Sequence, residues 1–273
     1  MKISLRITLL KEFSGWLLSL IVLIPVYLAV MTSLKSNLEA SKFNLQLPKV
    51  FMWHNYAQVI EEGSLIRYFF NSMIISTGTT VLCLIVSALA AFVLARNTHG
   101  MNNAIYNYFL VGLIAPINIV STIKVMQTLH IMNSTQGIII LYTALSIPFS
   151  IFLYYGFIKG VPRELDEAGI IDGCNGFQLF AKVIFPLLKP VTITVAIINF
   201  LNSWNDFILP LYLLNRSSQR TMVMGVYYFY GTFISNWNLV FAVIVLAILP
   251  IMIVYILGQK YIISGMTAGA VKG

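Results

Sequence analysis

The chain has 273 residues, 59% of them hydrophobic and 10% charged, and its mean hydropathy is +0.86. A water-soluble domain carries about 25% charged residues, so most of this surface does not face water. Seventeen basic against nine acidic residues give a net charge of +8, which in a membrane chain faces anionic lipid or a cytoplasmic partner and does not call for nucleic acid. Cys83 and Cys174 build neither a disulfide framework nor a metal site, and no G-x-x-x-x-G-K-S/T loop is present to bind ATP. A polytopic membrane protein remains.

Charged positions punctuate the chain, and the gaps between them are the spans. A helix crosses the hydrocarbon core in about 20 apolar residues, because each adds about 1.5 Å. This predicts an all-α protein of six transmembrane helices, residues 16–34, 68–95, 104–123, 137–158, 191–213 and 239–259, within one transmembrane domain, residues 1–273. The amino end, MKISLRITLLKEF, looks like the start of a signal peptide, but no small-x-small cleavage pattern follows, so it reads as a retained first helix. Ten Lys and Arg fall on the side of the termini and seven on the other, which puts both termini in the cytoplasm. Pro25, Pro116, Pro148, Pro210 and Pro250 sit within or at the edges of spans and read as kinks. The two long outer loops carry Trp53, Tyr56, Tyr227, Tyr228, Tyr230 and Trp237 at their membrane edges, as an interfacial belt does.

The long inner loop, residues 159–190, has a different character: it holds four of the nine acids and four bases. Pro162 suits a first helical position, Glu164, Asp166 and Glu167 suit the positive end of a helix dipole, and Gly173 suits a left-handed terminator. These signals predict a short helix over 162–172, a turn at Asn175-Gly176, and a second amphipathic stretch from Phe177 into the fifth span. Leu165, Ala168, Gly169 and Asp172 share one face, and the two small residues let another protein approach closely. Such a helix suits the cleft of a soluble partner; resting on the headgroups is the plainer alternative.

Polar residues inside a membrane are costly and face a cavity or another helix. In the fifth span Asn199, Asn202, Ser203 and Asp206 fall at i, i+3, i+4 and i+7, a stripe that lines a translocation cavity or bonds between helices. Trp204, off the stripe, reads as a membrane anchor or a stacking platform. In the second span Ser72, Ser76, Thr79, Thr80, Cys83 and Ser87 lie at near four-residue spacing and read as helix packing. His54, His99 and His130 have no acidic or nucleophilic companion at motif spacing, so no catalytic set and no metal site is assigned.

Glu167-Ala168-Gly169, three residues, Gly173, nine residues and Val183-Ile184-Phe185-Pro186 resemble the EAA signature of ABC importer permeases. That signature is E-A-A, three residues, G, nine residues, I-x-L-P; Gly169, Val183 and Phe185 depart from it. The tail from Gly265 to Gly273 and Trp204-Asn205-Asp206-Phe207 resemble the smaller six-span permease of the maltose-type, carbohydrate branch. The resemblance implies the type I importer fold and a bacterial or archaeal cytoplasmic membrane. It implies coupling to a separate ATPase through Glu164, Glu167, Ala168, Gly169, Asp172, Gly173 and Pro186, with a tail contact through Thr267, Ala268, Gly269 and Lys272. Expected partners are a homologous permease, two ATPase subunits that carry the ATP and Mg, an extracytoplasmic solute-binding protein, a carbohydrate and membrane lipid, with no cofactor in this chain and no nucleic acid. Within that class a permease for another solute, such as glycerol phosphate or a polyamine, is the alternative; the spans offer only Asp206 as a charge to recognise one. An ion-driven secondary transporter is less favoured, because it needs buried ionisable groups for coupling.

Overall fold

The computed structural model describes residues 5–97, 99–230 and 235–270, with side chains over 12–97, 99–230 and 235–259. In lipid the backbone finds no outside partner, so it closes its own hydrogen bonds in helices. Four described helices are long and apolar enough to cross: α1 (Leu5–Ser33), α4 (Leu65–Arg96), α7 (Thr135–Lys159) and α14 (Trp237–Ala270). Between the first two lie α2 (Asn37–Ala40) and α3 (His54–Glu62).

The stretch expected to be the third crossing is two shorter helices, α5 (Gly100–Ile114) and α6 (Ile119–Thr128). Pro116 explains the break. A residue before proline is pushed out of the helical region, and Ala115 is extended, with ψ 122°. Asn118 then restarts the helix by accepting from Ser121 N at 3.0 Å.

The fifth crossing is also interrupted. α11 (Lys189–Asn205) stops at the extended Asp206, and α12 (Ile208–Leu213) follows. Upstream, α8 (Glu164–Ile171), α9 (Gly176–Gln178), a π-helical turn over Leu179–Ile184 and α10 (Phe185–Leu187) form the inner loop. The limb over residues 176–187 meets α11 at 80°. A further short helix, α13 (Val226–Phe229), precedes α14.

By packing, the chain divides into two compact units, residues 1–67 with 222–249, and residues 68–221 with 250–273. In the first unit the end of α1 is clasped by Asn55, whose Nδ2 donates to Ser33 O and Lys35 O at 2.8 and 3.1 Å. Asn238 Nδ2 donates to Asn55 Oδ1 at 3.1 Å, and Trp237 N donates to Asn37 Oδ1 at 3.0 Å, which fixes the start of α14. Lys35 is buried with its ammonium donating to Asn44 O and Oδ1; burial lowers its pKa from the usual lysine value, and Glu39 opposes the shift.

In the second unit Ala88, Ala91 and Ala95 of α4 let Ile151, Tyr154 and Ile158 of α7 come close. The same core takes in Leu179, Phe180 and Ile184 from the π-helical turn. The inner loop is therefore part of the helix bundle's core and not a tether beside it. A second cluster joins Ile75, Met126, Ile138 and Tyr142 with Leu209 and Leu213 of α12. Gly258 lets α14 lie against α11, because a Cβ there would collide with Ile197.

Candidate functional site

The inner-loop helix is built as its sequence requires. α8 runs over eight residues, two shorter at the start than expected, and its first turn holds Glu164, Asp166 and Glu167. Its last carbonyls are closed by Gly173 N to Ile170 O and Cys174 N to Gly169 O, both at 3.0 Å, the pattern of a Schellman cap. This pattern needs a left-handed residue, and Gly173 has φ +82°. Asn175 opens α9 with a capping box: its Oδ1 accepts from Gln178 N at 2.9 Å while Gln178 Oε1 accepts from Asn175 N at 3.0 Å. A terminator thus runs straight into an initiator, and the turn between them has little freedom.

Glu164, Glu167, Ala168, Asp172 and Gly173 are exposed together on the outer side of this turn. Gly169 is not among them. It is buried, and a Cβ there would lie 2.7 Å from Leu179 Cδ1, so its smallness serves packing within the chain and not the approach of a partner. This corrects the expected shared face, and the cause is the π-helical turn folding back beneath α8. Pro186 is exposed on the ascending limb, away from α8 in sequence, in α10. The exposed apolar residues of this turn were not singled out: Ile170 is 61% exposed, Ile171 85% and, on α9, Phe177 71%. The signal was present, since two adjacent isoleucines on one short helix cannot both point inward.

A clamp holds α8 from behind. Arg96, last residue of α4, pairs with Asp166: Nη2 donates to Oδ1 at 3.1 Å, and Nε lies 2.7 Å from Oδ2 as an ionic contact without a hydrogen bond. Its Nη1 donates to Ile158 O and Val161 O at 3.3 and 3.1 Å, which satisfies one carbonyl in the last turn of α7 and one in the link to α8.

The polar stripe of α11 divides in two. Asn199 is buried, and its Nδ2 donates to Ser150 Oγ of α7 and Cys83 Sγ of α4, both at 3.2 Å. Ser203 donates to Asn199 O at 2.8 Å on its own helix. These two bond helices and backbone. Asn202 is exposed, and with Asp206, Ser146, Tyr142 and Phe149 it lines a cleft of about 400 Å³ that Asn199 and Ser203 also border. A second cleft of about 750 Å³ opens at the α5–α6 break and shares Ile117, Leu145 and Phe149 with the first.

Asp206 does structural work at the edge of that cleft. Its Oδ1 accepts from Ile208 N at 2.9 Å, capping α12, and its Oδ2 accepts from Tyr142 OH at 2.9 Å. Tyr142 was missed, although a tyrosine hydroxyl inside a span needs an acceptor and Asp206 is the one acid the spans offer. Trp204 is fully buried between Phe69 and Phe200, at centroid distances of 5.8 and 5.6 Å, so it is a core residue and neither an anchor nor a platform. Thr267, Ala268 and Gly269 lie on the α14 backbone with side chains outside the described residues, and Lys272 lies outside them altogether. Among the described residues no group of three His, Cys, Asp or Glu converges on one point.

Comparison with known proteins places this architecture. Residues 84–268 match the family described as binding-protein-dependent transport system inner membrane component. A probable permease protein for starch degradation products, AmyC of Thermoanaerobacterium thermosulfurigenes, is 35% identical over 96% of each chain. The multiple sugar-binding transport permease MsmG of Streptococcus mutans is 36% identical over 93% of each. A chain of a bacterial ABC transporter for the acidic polysaccharide alginate has the same fold, with TM-score 0.82 at 20% identity over 96% of this chain and 99% of that one. The spans, the inner loop and these likenesses agree: the chain belongs to the family of inner-membrane permease components of binding-protein-dependent ABC transport systems.

Proposed function

We propose that this permease forms half of the pathway of a carbohydrate importer, and that α8 is the surface on which a separate ATPase subunit docks. The observation that carries the docking is the outer face of α8. Its acids, Ala168 and the bare Ile171 and Phe177 project from a turn fixed by a Schellman cap and a capping box. An apolar patch on a rigid polar turn suits a groove in a protein partner better than open water. Glu164, Glu167, Ala168, Asp172 and Gly173 make that contact, and Pro186 holds the limb behind it. The tail from Thr267 to Lys272 reaches the same ATPase pair.

Carbohydrate as substrate is supported by the names of the relatives, which concern starch degradation products and multiple sugars. The cleft is compatible with it: Asn202, Ser146 and the remaining lone pair of Asp206 offer neutral and acceptor groups beside Phe149, with no base among its lining residues. This composition suits hydroxyls and the apolar face of a sugar ring better than a phosphate. A homologous permease completes the pathway, an extracytoplasmic binding protein delivers the solute, and ATP with Mg is bound by two ATPase subunits. Both termini lie in the cytoplasm, on the side of α8. ATP-driven closure of the ATPase pair pushes the docked helices together and turns the pathway outward, an alternating-access cycle.

The test is purification of the complex from native membranes by a tag on this chain, reconstitution in lipid, and ATP hydrolysis with its binding protein and maltose, maltotriose, melibiose or raffinose. Stimulation that requires the binding protein and one of these sugars supports both parts. Co-purified ATPase that is stimulated only by a non-sugar solute overturns the carbohydrate assignment; transport by this chain with no ATPase overturns the docking.

A further inference from the structure

We infer that Arg96 is a positioning residue for coupling: it fastens α8 to the ends of two membrane helices, so that force on α8 moves α4 and α7 together. The inference rests on the reading of α8 as the ATPase contact. One guanidinium makes three hydrogen bonds and one ionic contact, to Asp166 on α8, to Ile158 O in the last turn of α7 and to Val161 O just beyond it, while its own backbone ends α4. The ion pair is nearly enclosed, with side chains 13% and 15% exposed, so water screens it weakly. Geometry rather than charge alone is used. The two terminal nitrogens of a planar guanidinium reach a carboxylate oxygen and two carbonyls at once, whereas a lysine ammonium is a single point with three rotatable donors. Asp166 is also the one acid of the first turn of α8 turned inward; Glu164 and Glu167 beside it are exposed. The acids of this turn therefore divide between two tasks: Asp166 faces the membrane helices and the others face outward.

Beneath the clamp, the apolar contacts of Leu179, Phe180 and Ile184 join the loop to the same bundle core. They anchor the ascending limb. α8 itself has eight residues and one buried side, at Gly169, so the Arg96–Asp166 pair is its principal polar tie to the spans, beside a longer bond from Arg163 Nη2 to Arg96 O at 3.5 Å. Without the pair α8 stays folded by its Schellman cap but rocks on Leu179.

The experiment uses the permease complex in lipid nanodiscs, first stripped of ATPase and then with it. Amide exchange over residues 164–171 is measured for wild type, R96Q, R96K and D166N, with residues 189–205 as internal reference. R96Q is expected to speed exchange in α8 about tenfold and D166N nearly as much, with R96K between them and wild type and with residues 189–205 unchanged. In the assembled complex R96Q is expected to retain its ATPase subunit but to lose stimulation by the binding protein. The R96Q/D166N double variant should be no worse than R96Q alone. Unchanged exchange in α8, acceleration spread equally through residues 189–205, or losses of stimulation that multiply in the double variant would each overturn the clamp. If the wild-type chain holds no ATPase subunit, the docking reading fails by itself, and the exchange data still decide whether Arg96 holds α8.

Discussion

Around α8 one acid is gripped from behind while apolar residues stand bare outside beside the other acids; along the stripe of α11 Asn199 and Ser203 are held inside and one amide is left open. Asp166 is locked to Arg96 while Ile171 and Phe177 are bare. On α11, Asn199 and Ser203 turn their bonds into the bundle, and Asn202 remains open to a cleft walled by Phe149 and Ile198. A surface built to be held by another protein needs rigid backing and exposed apolar area. A passage for a polar solute needs the opposite, a few polar groups on an otherwise unreactive wall, so that binding is weak enough for release. The contrast separates residues that carry load from residues that meet cargo, and substitutions can test the division.

The largest effect is expected at Gly173. No atom lies within 4 Å of a Cβ built there, so space is not the constraint and the left-handed backbone is. A β-branched residue in that region costs roughly 1–2 kcal/mol, while asparagine visits it readily. Gly173→Val should lower transport about tenfold or more by opening the cap, and Gly173→Asn should retain most of it. Equal loss in both, measured as solute uptake at matched expression, would mean that a partner packs against the glycine itself.

Next come the residues assigned to the cleft. Asn202→Leu removes an exposed amide and should raise the solute concentration for half-maximal uptake about fivefold without lowering thermal stability. Asp206→Asn keeps an acceptor for the α12 cap but weakens both that cap and the Tyr142 bond, so it should lower uptake and cost about 1 kcal/mol of stability. If Asn202→Leu transports normally, the cleft is a wall of the passage and no part of its recognition.

How far the two regions were legible in the sequence differs for a physical reason. Caps and turns are local chemistry. Asn175, Gly173 and the first-turn acids announce their roles within a few residues, and the loop helix lies within two residues of its expected bounds. Arg96–Asp166 and Tyr142–Asp206 join residues 70 and 64 positions apart, which no periodicity records. Helical spacing also shows which residues share a face without showing what that face meets. The α11 stripe is real, yet Asn199 is spent on α4 and α7 and Ser203 on its own helix, and Gly169 lies on the expected face of α8 with Leu179 against it. Pro116 and Asp206 stand out in the sequence as a kink and a lone acid, but that the helix stops at each is hidden, because apolar composition continues through both.

Gly169 offers a smaller and sharper test of the backing. The resembled signature has alanine there, and here Leu179 Cδ1 occupies the space a methyl would need. That atom is the far end of a flexible side chain, so Gly169→Ala should cost only about 1 kcal/mol, measured as thermal unfolding of the complex in lipid. Shortening the neighbour, Leu179→Val, should recover most of the loss in the double variant. If the double variant is additive, Gly169 is not set by this contact.

The smallest effect separates packing from passage at Asn199. Replacing it with leucine removes two bonds, but its partners are not stranded, because Cys83 Sγ and Ser150 Oγ already lie 3.2 Å apart and bond each other. Hydrogen bonds between membrane helices contribute about 0.6 kcal/mol on average, since the unfolded chain in lipid also finds partners. Asn199→Leu should therefore shift unfolding by about that amount and leave uptake at the wild-type rate. Loss of uptake with stability intact would move Asn199 from the bundle to the cleft, and the division of the stripe at Asn202 would then have to be redrawn one helical turn deeper.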